Sequence, residues 1–226
     1  MYSNKKTGRI AGVLLLFTFI AGIIIFQFLQ NSVLSSKDFA IVALESENKL
    51  IFSTILGTFS GIASIIVAVL LLPVFKKNHI YLAFLYFAFC IVNFVAIMID
   101  NHNVLEMLEF SRVFAKNTDE TYNSINIMKT VIAKKHLWTH YFYLLVSCFS
   151  VFALYYTLFV SKLVPRILSS FGLFSVLLMF IQVMATIFKQ SISMDMMIPI
   201  ALIQLVFPIW LIFKGLYTSK PENVSK

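Results

Sequence analysis

Charge is what this chain has least of. Lysine, arginine, aspartate and glutamate together make up 12% of the 226 residues, whereas hydrophobic residues make up 60%. A soluble domain of that length cannot hide so much apolar surface, and a bilayer accepts it. Cysteine is also scarce. Cys90 and Cys148 fall deep inside two different apolar runs, so a structural disulfide or zinc site is not expected and both read as small buried hydrophobes. The signatures of soluble enzymes are missing: no P-loop, no glycine-rich dinucleotide turn, no Gly-x-Ser-x-Gly elbow and no His-Glu-x-x-His. Between their ends the apolar runs carry almost no ionisable side chains. That counts against a secondary ion pump, because charge moving through hydrocarbon needs buried partners. The net charge of +8 does not point to nucleic acid, since the basic residues gather at the ends of the apolar runs, where the lipid bilayer is partner enough.

What is present is length. A hydrocarbon core about 30 Å thick takes about 20 apolar residues at 1.5 Å rise each. Six stretches qualify: Ile10–Leu29, Leu50–Phe75, Ile80–Ile99, Leu137–Val160, Ile167–Phe188 and Met196–Phe213. The first follows Lys5, Lys6 and Arg9 like a signal peptide, but it is too long for a cleaved apolar region and reads as a retained helix. The breaks are a polar stretch from Asn31 to Lys49, a basic turn at Lys76–His79, a turn ending in Pro165-Arg166, and a short loop from Lys189 to Asp195. Proline suits a helix start, where its missing N–H costs nothing. The fold class expected is therefore all-α: a six-helix transmembrane bundle over residues 1–218, with a short tail at 219–226.

Orientation follows from the loops. The N-terminus, the Lys76–His79 turn, the Ser161–Arg166 turn and the C-terminus hold ten basic residues and only Glu222 as an acid. Short basic loops mark the cytoplasmic face, so both termini are expected inside. The outer loop, 100–136, carries Asp100, Glu106, Glu109, Asp119 and Glu120. Within it Val104, Leu105, Leu108, Val113 and Phe114 recur at helical spacing, which predicts an amphipathic extension of the third helix or a helix lying on the outer leaflet. A turn is expected at Asn117–Glu120, and a short helix leading into Lys129–Lys135. Trp138, Tyr141 and Tyr143 suit an interfacial aromatic belt, which would put His136 and His140 at the outer surface.

Three groups of residues are candidates for function. Gly57 and Gly61 form a small-xxx-small step, read as helix packing within the bundle, with a dimer interface or another membrane-protein partner as the alternative. Asn93, Gln182 and Gln204 lie mid-span. The first two are about 20 Å from the cytoplasmic ends of their helices, and the third is about 12 Å below the outer end of its own. They are either a polar pocket opening outward below Asp100 or amides bonding across helices. His136 and His140 stand at i and i+4, and His102 and Glu106 repeat that spacing on the other side of the loop. Together these four could ligate a divalent metal, or the histidines a haem, unless they only bond to loop backbone and water.

Several segments together resemble a bacterial membrane-protein family, the domain-of-unknown-function 4386 family. They are Arg9–Leu16, Leu163–Leu168 with Phe171-Gly172, and Pro208–Gly215. The family's third helix usually carries an arginine and, three residues on, a glutamate, and its last helix often carries a glutamate. The matching positions here are Cys90, Asn93 and Gln204, so the charges are replaced by neutral groups. The resemblance implies the membrane fold and a bacterial inner-membrane location, and no activity. The function expected is a non-enzymatic accessory or sensory membrane component. A transporter for a small neutral or amphiphilic solute, and a metal- or haem-dependent membrane enzyme, stand as alternatives.

Overall fold

In hydrocarbon an unpaired backbone N–H or C=O costs several kcal/mol, so a chain this apolar crosses as helices that satisfy their own backbone. The computed structural model describes residues 4–36, 38–116, 122–190 and 192–217, and among them it contains no strand. Helix α1 (Asn4–Ile23) runs into a π-helical stretch (Ile24–Gln30) and a short α2 (Asn31–Leu34). Then follow α3 (Phe39–Glu45), α4 (Glu47–Lys76), α5 (Ile80–Lys116), α6 (Tyr122–Ser161), α7 (Arg166–Ile187) and α8 (Ile198–Lys214). Six helical segments of the described residues are long and apolar enough to cross a membrane, at the six places the hydropathy marks.

The spans close into a ring in chain order. α1 packs on α4, α4 on α5, α5 on α6, α6 on α7, α7 on α8, and α8 back on α1. Phe17, Ile20, Phe59, Ile66, Phe84, Phe174 and Leu177 face outward, an apolar surface of the kind that lipid accepts. Lipid tails are as apolar as leucine, so helices associate there by close packing and hydrogen bonds rather than by escape from water. The crossings accordingly run over small residues. A Cβ on Gly12 would come within 2.8 Å of Leu211 and of the Pro208 carbonyl oxygen, and one on Gly172 within 2.4 Å of the Tyr155 ring. Gly57 and Gly61 lie on the α4 face that meets α5: a Cβ would stand 2.9 Å from the Asn101 amide at the first and 2.6 Å from the Phe94 ring at the second. At the basic end the Arg9 guanidinium donates to the Phe213 carbonyl (3.2 Å), and the Tyr217 N–H donates to the Leu163 carbonyl (2.8 Å), tying α1, α8 and the α6–α7 turn together.

Beyond the membrane the two middle spans do not stop. α5 has 37 residues and α6 has 40. At 1.5 Å per residue they are about 55 and 60 Å long, against about 30 Å of hydrocarbon. The amphipathic stretch after Asp100 is thus an unbroken continuation of α5, and the expected short helix before Lys135 is the first part of α6. The polar stretch from Asn31 to Lys49 also differs from the plain connection expected. It folds as α2, α3 and the first turn of α4, because Val33, Phe39, Ala40, Ala43 and Leu50 find an apolar partner face on α5 and α6. Together with Val104, Met107, Leu108 and Ile132 they make a second core, separate from that of the bundle. Ion pairs rim this cap: Arg112 with Glu47 and Glu109, Lys129 with Asp38 (2.6 Å), and Lys135 with Glu106 (2.5 Å). The turn expected at Asn117–Glu120 and the tail at 219–226 lie outside the described residues.

Candidate functional site

The middle of the ring is not filled. A cavity of about 470 Å³ lies within it, and each of the six spans contributes lining residues. Its polar groups are uncharged: Ser60 from α4, Tyr86 and Asn93 from α5, Tyr143 and Ser147 from α6, and Gln204 from α8. Leucine, isoleucine, phenylalanine and methionine side chains make up much of the rest, and among the described residues no Asp, Glu, Lys, Arg or His lines it. Asn93 is buried, and its Oδ1 has no hydrogen-bond partner among the described residues. Burying such an acceptor unmet costs about 1–3 kcal/mol. Volume, apolar walls and a few converging polar groups are the ordinary make-up of a small-molecule site.

The π-helical stretch of the first span belongs to this site. Seven residues, Ile24–Gln30, take the wider turn, and π turns inside α-helices often occur at functional positions. It carries Phe26 and Gln27 to the cavity wall and sets Gln30 against α4, where its Nε2 donates to Ser53 Oγ at 3.0 Å.

Above the cavity, towards the cap, is a second chamber of about 60 Å³. It shares Thr18, Gly22, Phe26, Ser60, Ile97 and Tyr143 with the larger one and adds Ile25, Gln30, Gly57, Asp100 and Asn101. Asp100 is the buried acid of the seam between bundle and cap. Its Oδ2 lies 3.2 Å from His140 Nδ1 and its Oδ1 lies 3.6 Å from His136 Nδ1, the second being too long for a hydrogen bond. Thr139 Oγ1 stands 3.4 Å from Oδ1 and accepts the Asn103 amide N–H at 2.7 Å. The His140 ring meets Phe26 edge to face, with centroids 4.8 Å apart. A carboxylate beside two imidazoles can hold and pass a proton, and the low-dielectric seam makes any charge there depend on its partners.

The structure brings together some of the expected residues and not others. Asn93 and Gln204 share the large cavity, whereas Gln182 does not line it: its Nε2 lies 3.4 Å from the Ile192 carbonyl oxygen, at the end of α7. Asp100 lines the smaller chamber. His136 and His140 do converge, but on Asp100 rather than on His102 and Glu106. The reason is angular. At about 100° per residue, His102 and Glu106 are turned about 200° and 240° from Asp100 around α5. His102 is exposed, and Glu106 pairs with Lys135 at the rim. Among the described residues no group of three or more His, Cys, Asp or Glu is placed to hold a metal ion, so the four-ligand set is not assembled. His136 is buried rather than at the outer surface, and Tyr143 faces the cavity, which leaves Trp138 as the exposed member of the expected aromatic belt.

Sequence reasoning missed Gln30, Tyr143 and the α1–α8 crossing. The last had a signal, since Gly8 and Gly12 repeat the small-xxx-small spacing of Gly57 and Gly61. The first two had none, because a π turn and the inward face of an aromatic are set by packing.

Cys90, Asn93 and Gln204, the three positions where the family resemblance expects charged side chains, all line the large cavity. No curated protein and no solved structure matches the chain. Residues 10–215 match the family described as Domain of unknown function (DUF4386), and with nearly its whole length matched this membrane-helical chain belongs to that family.

Proposed function

We propose that this protein binds a small, neutral, largely apolar molecule inside its helix ring and serves as a ligand-holding component of the membrane, in a sensory or accessory role. The observation that carries this reading is the 470 Å³ cavity whose lining holds amide, hydroxyl and phenol groups and no charge. A charged solute would leave its charge uncompensated against such walls, whereas an amphiphile with a carbonyl, amide or hydroxyl group finds partners. Asn93, Gln204, Ser60, Ser147 and Tyr143 are the lining residues that would supply them. Among the described residues no His, Asp or Glu stands in the lining as a base beside its hydroxyls, which supports binding as its role.

The loop charges support one orientation of the protein. Lys5, Lys6, Arg9, Lys76, Lys77, Lys162, Arg166 and Lys214 lie at one end of the bundle and the acid-bearing cap at the other. We take the protein to sit in the cytoplasmic membrane of a bacterium, and the preference of short basic loops for the inner face supports a basic end inside and a cap outside. A membrane-impermeant maleimide should then label a cysteine at Glu109 in intact cells and leave one at Lys77 unlabelled. The reverse pattern overturns the orientation.

Binding is tested on protein purified in a mild neutral detergent, with 1-octanol and octanamide as probes. Both should raise the melting temperature of the native chain, and Ser147→Phe, which fills the cavity, should abolish the response while the protein stays folded. Equal responses in the two proteins, or none in either, would sink the reading. Accumulation of octanamide in proteoliposomes above the rate of empty vesicles would convert the holding role into a transporting one.

A further inference from the structure

We propose that the small chamber beneath the cap binds one monovalent cation, with Asp100 as its counter-charge and Gln30 and Asn101 as its neutral oxygen donors. The inference concerns this chamber and stands whatever the large cavity holds.

Amide orientation carries the first step. Gln30 Nε2 lies 3.0 Å from Ser53 Oγ, and Ser53 Oγ donates its own proton to the Leu50 carbonyl at 2.7 Å. That hydroxyl can therefore only accept from Gln30, so the amide's NH₂ must point at α4. Asn101 Nδ2 lies 3.1 Å from the Thr54 carbonyl oxygen, which is an acceptor only, so its NH₂ is fixed on α4 as well. Both residues line the chamber; Asn101 Nδ2 also reaches Thr58 Oγ1 at 3.4 Å, so its carbonyl oxygen is what it has left, while Gln30 keeps its carbonyl oxygen and one N–H. Gln30 is 2% exposed, and its Oε1 has no partner among the described residues. Thr18, another lining residue, has committed its hydroxyl proton to the Leu15 carbonyl, so it too presents lone pairs.

Charge carries the second step. Among the described residues the chamber has one carboxylate, that of Asp100, and no Lys or Arg in its lining. His136 and His140 approach that carboxylate from α6, and Phe26 and Tyr143 supply aromatic walls. A buried negative charge over an acceptor-rich, apolar-walled space attracts a positive one, and a single charge balances it. A divalent ion would leave an excess charge in the low-dielectric seam, and calcium- or zinc-type sites gather more carboxylate, imidazole or thiolate ligands than this. The volume of about 60 Å³ agrees. A water occupies about 30 Å³ in the liquid, so there is room for a largely dehydrated ion and a water, or for an ammonium head. The chemistry is shared by two sources: a free alkali or ammonium ion, and the protonated amine of a molecule whose tail reaches into the adjoining cavity.

Thermal unfolding of the full chain in neutral detergent tests this. The native protein is compared in N-methyl-D-glucamine chloride, whose cation is too large for the chamber, and in NaCl, KCl and hexylammonium chloride at equal ionic strength. A rise of about 3 °C or more in at least one of the last three is expected. A response to Na⁺ or K⁺ assigns the site to a free ion, and a response to hexylammonium alone assigns it to an amine head. Asp100→Asn should abolish the response. Gln30→Lys, which brings its own ammonium to the chamber and keeps a donor for Ser53, should melt no lower than the native chain in N-methyl-D-glucamine and ignore the added cations. Identical melting of the native chain in all four salts overturns the proposal, as does a response that survives in Gln30→Lys. If Asp100→Asn does not fold, the salt series and Gln30→Lys decide between them.

Discussion

The bundle and the cap are built from the same chain, partly from the same helices, yet they cohere by different means. In the bundle, α1 meets α8 over Gly12 and the residues just past α8 over Gly8, and α7 meets α6 over Gly172. In the cap, Leu50, Val104, Leu108 and Ile132 close an apolar core, and the four Lys/Arg–carboxylate pairs found among the described residues all lie there. The solvent explains the difference. In lipid a leucine gains nothing by leaving its surroundings, so only close fit and hydrogen bonds hold helices together, and small residues permit that fit. In water the cap has a hydrophobic driving force, and charges at its rim are solvated and cheap to keep. The seam between the two is where neither rule is sufficient. There the buried acid Asp100 sits with His136 and His140 in a place too apolar for free charge and too polar for a lipid surface.

Volume added to the bundle should do the most damage. Gly172→Leu drives a Cβ to within 2.4 Å of the Tyr155 ring, at a crossing where neither helix can withdraw without opening the ring. A loss of about 3 kcal/mol or more is expected, seen as a collapse of folded yield on size exclusion in detergent. A variant that folds and melts like the native chain would break the account of the bundle.

Volume removed separates the regions in the opposite sense. Leu108, in the cap, and Leu158, in the bundle, are both fully buried. Leu108→Ala loses transfer from water as well as packing, about 3 kcal/mol. Leu158→Ala loses the packing part alone, about 1.5 kcal/mol. Reversible unfolding in bicelles measures both. Hydrogen exchange on the first variant should rise in residues 38–50, 100–116 and 127–136 while the spans of α7 and α8 stay protected. Equal costs, or exchange spread evenly over both regions, would mean that cap and bundle form one cooperative unit.

Charge removed should matter least and only in the cap. Asp38 is half exposed where it pairs with Lys129, so Asp38→Asn is expected to cost about 0.5 kcal/mol at low salt and nothing measurable near 1 M. A loss that persists at high salt would show the pair to be part of the cap core rather than its rim.

The sequence by itself determined the membrane class, the six crossings and the basic end of the bundle, because each depends on local composition: twenty apolar residues in a row have one stable arrangement in lipid wherever their neighbours lie. It also indicated that Val104, Leu105 and Leu108 share one face of a helix, since helical spacing is a local property too, but left open whether that helix continued α5 or lay on the outer leaflet. Only the tertiary structure decided what faces what. The i and i+4 spacing of His136 and His140 was legible, but their partner was settled by the angle at which α5 presents Asp100 and turns His102 away. Asn93 and Gln204 were visible as mid-span amides, while their meeting in one cavity and the departure of Gln182 from it depend on the order in which the ring closes. Gln30 could not have been found at all. Its burial follows from a π turn and from a hydroxyl on α4, at Ser53, which has no proton left to donate, and a contact 23 residues apart leaves no periodic mark in the chain.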